Sequence, residues 1–126
     1  MNLRGVQRKG VSVLLLVFGF ALANAAAAEP QLIELSLAGG KPEGGVARTV
    51  RVSKDDKVAL KIRSDKALTV HLHGYDIELR PRPGNAVTAT FDATIVGRFP
   101  VTAHLQESEG HGRSAEPALL YLEVHP

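Results

Sequence analysis

The amino-acid sequence predicts an all-β domain, a two-layer sandwich of seven to eight short strands set behind an apolar leader. Through residues 29–126 apolar side chains recur at every second position, the period at which a pleated strand sends neighbours to opposite faces. These alternating runs are short and are broken by Gly, Pro and Asp turn signals. Past the leader, no stretch of helical length carries a 3.6-residue period. Roughly 100 residues of such strands suit a sandwich better than a helix-covered sheet.

Residues 1–28 read as a signal peptide. Arg4, Arg8 and Lys9 form a basic start, Val11 to Ala23 an apolar centre, and Ala25 to Ala28 the small residues that a signal peptidase requires. A membrane-spanning helix needs about 20 apolar residues, and this centre is shorter, so cleavage after Ala28 is expected instead of an anchor. The single domain at 29–126 is then periplasmic or secreted, with no membrane span after cleavage. Cleavage removes three basic residues and no acidic one, leaving twelve Lys and Arg against thirteen Asp and Glu. Such a near-neutral domain, without clustered Lys and Arg, excludes a nucleic-acid surface.

The strands follow in order. In Gln31 to Ala38, the apolar Ile33, Leu35 and Leu37 alternate with Glu34 and Ser36, and the glycine-rich GGKPEGG at 39–45 ends the run. Val50 and Val52 alternate with Thr49, Arg51 and Ser53 across Ala47 to Ser53. After Asp55 and Asp56, Val58, Leu60 and Ile62 alternate with Lys57, Lys61 and Arg63. Leu68, Val70 and Leu72 then alternate with Thr69, His71 and His73, and a short strand follows around Ile77 to Arg80. PRPGN from Pro81 to Asn85 is a strong turn signal. Val87, Ala89 and Phe91 alternate with Thr88 and Thr90. Phe99, Val101, Ala103 and Leu105 form another inward set, and Leu120, Leu122 and Val124 form the last. Each sheet is expected to bury one face and wet the other.

The chain has five histidines, no cysteine, and a single methionine at position 1. Without cysteine there is neither disulfide nor thiol chemistry, so stability must come from burial and sheet hydrogen bonding. His71 and His73 are two apart on one strand, so both leave the same face with Cα atoms about 6.5 to 7 Å apart, a separation one metal ion can bridge. The bland alternative is that Leu68, Val70 and Leu72 take the core and leave the histidines as ordinary polar positions. His104, by the same parity, points away from Val101 and Ala103. Beyond it, Glu107, Glu109 and His111 lie on a glycine-containing loop, QESEGHGRSAEP. Neutral imidazoles beside carboxylates suit Cu(II) or Zn(II), whereas a solvated loop is the plain reading of His111 alone. His125, with Glu123 on its face, is expected at the surface. Ser108 and Ser114 flank His111, but no strand-turn-helix elbow presents either of them as a nucleophile, so the chain is not expected to be an enzyme.

The stretch VHLHGYDIELRPRPGNAVTATFDATIVGRFPVTAHL, Val70 to Leu105, resembles the cupredoxin domains related to subunit II of cytochrome c oxidase and to small exported cupredoxin-like proteins. The matching features are His73, Gly74 and Tyr75; then Pro83 and Gly84 with Thr88 and Thr90; then Gly97 and Phe99. The resemblance implies a cupredoxin-like Greek-key β-sandwich and covers roughly the last 70 residues. It implies His73 as the upstream histidine ligand, with the ligand cysteine falling near Ala103 or His104 and a later ligand at His111. Electron-transferring cupredoxins hold copper with a thiolate and usually a methionine, and both are missing, so a blue or purple copper centre is excluded.

Two functions of different class are therefore expected. In one, an exported cupredoxin-like protein binds copper(II) through His73 and His104, with His71 or His111 and a loop carboxylate, and carries or buffers the ion. Tyr75 and Asp76 then stand as residues that orient an imidazole. In the other, the sandwich is a metal-free structural or interaction module whose partner is another protein of the cell envelope.

Overall fold

The computed structural model describes residues 27–105 and 116–126. Residues 1–26 of the expected leader, and Glu107, Glu109 and His111 of the expected metal loop, lie outside the described residues. Within them are nine strands: β1 Gln31–Ala38, β2 Lys41–Pro42, β3 Arg48–Ser53, β4 Lys57–Ser64, β5 Leu68–Leu72, β6 Ile77–Leu79, β7 Val87–Asp92, β8 Gly97–Leu105 and β9 Leu120–His125. Eight of them stand where the period-two pattern predicts a strand. The ninth is β2, two residues of the GGKPEGG segment folded back antiparallel on β1, too short to carry any alternation. No helix among the described residues is long and apolar enough to cross a membrane.

Two sheets form the sandwich, one of four strands in the order β2-β1-β4-β7 and one of five in the order β3-β9-β8-β5-β6. The chain passes back and forth between them, so that β1 pairs in parallel with β4, and β3 in parallel with β9. All other pairings are antiparallel. This is a cupredoxin-like Greek-key arrangement, in which four of the seven pairings join strands that are not consecutive in the chain.

The core lies between the sheets and is aliphatic. Ile33, Leu35 and Leu37 of β1 and Val58, Leu60 and Ile62 of β4 pack onto the inward residues of β5, β8 and β9. Ile62 and Val101 are wholly buried, and each such side chain contributes about 1.5–3 kcal/mol relative to exposure. The outward residues depart from the expected wet face on the central strands of both sheets, and Ala59 of β4 is 8% exposed. Thr69 and Thr102, on the central strands β5 and β8, are each only 6% exposed. Thr69 sits opposite His104 and Thr102 opposite His71, so the longer imidazoles roof the short hydroxyl side chains.

Candidate metal-binding face

Parity puts three histidines on the outer face of the five-stranded sheet. Leu68, Val70 and Leu72 of β5 are buried in the core, which turns His71, and His73 just past the strand end, outward. On β8, Val101 is buried and Ala103 packs on the core, which turns Thr102 and His104 outward. The antiparallel register sets His71 opposite Thr102 and Thr69 opposite His104, so His104 is the diagonal neighbour of His71. Their rings stack with centroids 5.1 Å apart and planes 22° from parallel. The rings of His71 and His73 are 6.3 Å apart and tilted by 48°. His71 therefore stands between the other two.

Each imidazole has a polar neighbour of its own. His73 Nε2 is 2.9 Å from Thr102 Oγ1. His71 Nδ1 lies 3.9 Å from Glu78 Oε2, because the β5–β6 pairing sets Glu78 opposite it. His104 Nδ1 lies 3.3 Å from Glu116 Oε1. Glu78 accepts a 2.7 Å hydrogen bond from Arg80 Nε. That bond foremost, with the attraction of Arg80, His71 and His104, holds its carboxyl below the usual range against an opposing desolvation cost. Among the described residues no three His, Asp or Glu side chains already converge as a metal cage. The donors are arranged as neighbouring pairs along a row.

The ends of the sheet separate the residues that the sequence pattern groups together. Leu68 pairs with Leu105 where β8 runs into the segment 106–115, whereas Leu72 pairs with Val101 and His73 N–H donates to Pro100 O at the opposite end. Four residues of strand separate the two rungs, about 13 Å. His73 thus lies far from the root of the β8–β9 loop, and His71 is the imidazole placed beside His104. At that root Leu68 is buried, whereas Leu105, expected in the inward set, is 49% exposed at the very end of β8; neither side chain can bind a metal.

Tyr75 does other work than orienting an imidazole, whereas Asp76 lines a pocket together with His71 and His73. The Tyr75 hydroxyl donates to Ile95 O at 2.9 Å and accepts from Ile95 N–H at 3.1 Å, tying the β5–β6 turn to the β7–β8 loop. Its ring packs against Phe91 and Phe99, each at 5.1 Å. Asp76 occupies the left-handed region at φ 53°, which Asp tolerates better than most residues. His125 lies at the surface as expected, 3.5 Å from a Glu123 carboxylate that also binds Arg51. Glu78 and Glu116 escape sequence reasoning as neighbours of the histidines. The outward parity of Glu78 on its short strand is a usable signal; nothing in the spacing points to Glu116.

The fold has counterparts among solved copper proteins. A chain of a heme-copper terminal oxidase dimer superposes with a TM-score of 0.56 at 17% identity, over 75% of this chain and 65% of that one. The mixed-disulfide intermediate between a thioredoxin-like protein and subunit II of cytochrome c oxidase gives 0.54 at 13% identity, over 82% of this chain and 87% of that one. A multi-copper oxidase from Pseudomonas thermotolerans gives 0.53 at 19% identity, over 79% and 30%. The chain thus spans less than two thirds of the first and less than a third of the last. No protein-family model and no curated protein sequence matches it. At such identities the likeness is one of fold, and the chain has a cupredoxin-like fold built with no cysteine and with no methionine beyond Met1.

Proposed function

We propose that this is an exported cupredoxin-like protein that carries or buffers copper(II) on the histidine face of its five-stranded sheet. In this reading it is neither an enzyme nor a blue-copper electron carrier. The observation that carries the proposal is the contiguous row His73, His71 and His104, with the last two rings stacked at 5.1 Å. His71 and His104 are the nitrogen donors, and Glu78 or Glu116 an oxygen donor, a set that suits Cu(II). His73 extends the row, and His111 is a further ligand contributed by the β8–β9 loop. Bound copper would supply no chemistry beyond its own delivery. The electron-transfer centre does not fit, because the chain has no thiolate and the rung at the loop root pairs Leu68 with Leu105, neither of them a metal ligand. Export rests on the basic, apolar and small-residue succession of residues 1–28.

A metal-free module that docks on another envelope protein is the second reading. What favours it is that no three donors converge among the described residues. One titration separates the two. Metal-free protein lacking any histidine tag is titrated with Cu(II) and followed by electron paramagnetic resonance. The copper reading expects a stoichiometric tetragonal signal with nitrogen couplings, lost in His71→Ala and in His104→Ala and weakened in His73→Ala. A substoichiometric signal that survives all three substitutions sinks it and leaves the interaction module.

A further inference from the structure

On the outer face of the four-stranded sheet, β4 runs two residues past its last pairing with β7, which is Ile62 with Val87. The chain that leads into β7 cannot fill the gap, because Arg82 and Asn85 close a turn on each other, Asn85 N–H donating to Arg82 O at 2.9 Å. The result is a cleft of about 360 Å³ whose lining includes Lys61, Arg63, Ser64, Arg82 and Asn85, with no carboxylate among its walls. Elsewhere on this face cations are matched. Lys57 faces Asp92 at 3.5 Å, and Lys61, on the rim of the cleft, faces Glu34 at 3.6 Å. Arg63 and Arg82 have no acidic partner among the described residues. Ser64 Oγ accepts from Lys66 N–H at 3.1 Å, which leaves its own O–H to donate.

Two guanidinium groups, an ammonium, a hydroxyl and an amide around one cleft are an excess of donors and positive charge. A guanidinium fork matches the oxygen pairs of phosphate and carboxylate. We propose that this cleft binds a multivalent oxyanion of the phosphate or polycarboxylate class, held by Arg63 and Arg82 with Lys61 and Asn85 beside them. The site lies on the opposite sheet from the histidines and does not depend on the copper reading.

Inorganic phosphate is the probe. The metal-free protein, purified from an exporting host, is titrated at low ionic strength and followed by amide NMR. Saturable shifts at Ser64 and Asn85 are expected, and Arg63→Gln or Arg82→Gln should each weaken binding about tenfold. Glu34→Gln, by releasing Lys61, should tighten it. Far-UV circular dichroism confirms that the variants are folded. Shifts that do not saturate, that chloride reproduces at equal ionic strength, or that persist in the double variant overturn the site. Co-sedimentation with phosphatidylglycerol vesicles without a saturable response to free phosphate also overturns it, because the charges would then serve a membrane surface.

Discussion

At Gly74 two requirements meet in one residue of the HLHGYD stretch. Its φ of 84° lies in the left-handed region, and a Cβ there would clash with the edge of the Phe99 ring at Cδ1 and Cε1. Phe99 has little room to withdraw, since Tyr75 packs edge-on against it and is itself anchored to Ile95. Gly74→Ala is therefore expected to cost about 2–4 kcal/mol, from overpacking and from the strained backbone together. The measurement is a lower urea midpoint at unchanged slope, with part of the loss recovered in a Gly74→Ala, Phe99→Leu double variant. An unaltered midpoint would mean the turn relaxes at no cost. Charge acts more gently at Glu78, whose carboxyl Arg80 holds low. Arg80→Gln should move it back toward the ordinary glutamate range in a carboxyl-carbon NMR titration. A depressed folded value stabilises the fold above the unfolded value and loses that effect as pH falls through the folded one. The acid limb of the stability curve should accordingly flatten slightly in the variant.

Strands differ in how firmly the sandwich holds them. β8 lies between β9 and β5, and β4 between β1 and β7, whereas the three-residue β6 is an edge. Amides of β8 and β4 should exchange hydrogen only through global unfolding, and those of β6 through local opening orders of magnitude faster. Equal protection of β6 and β8 would show that β6 is locked by more than its pairing with β5. The same contrast explains what the sequence reveals. Alternation such as Ile33, Leu35, Leu37 is a local property of eight residues, so β1 and seven other strands are legible, and parity correctly turns His71, His73 and His104 outward. Register is not local. That Thr69 pairs with His104, which makes His71 the neighbour of His104, depends on residues more than thirty positions apart. The same holds for the parallel pairings of β1 with β4 and β3 with β9, and for the distance of His73 from the β8–β9 loop. Nor does alternation show that Thr69 and Thr102 are roofed, because burial on an outer face depends on what the neighbouring strands place there.

For the molecule as a whole, one aliphatic core joins both sheets without a covalent crosslink, so folding should be a single cooperative transition to which any ligand of the native state is linked. An ion bound to side chains of β5 and β8 draws on native pairing that the unfolded chain lacks. Copper(II) at about 100 times its dissociation constant should then stabilise the protein by about 2.7 kcal/mol, an increase in Tm on the order of 10 °C for a domain of this size. His71 and His104 are about a third exposed and lie outside the core, so the His71→Ala, His104→Ala variant should melt near the metal-free wild type. Its distinguishing property is the loss of the copper-dependent increment, which a chelator should also abolish in the wild type. Scanning calorimetry with and without metal measures all four states. An increment that survives the double variant would assign the ligands to other residues, His111 foremost. No increment in the wild type at saturating copper would remove the ion from the protein's function and leave the sandwich as a protein-binding module.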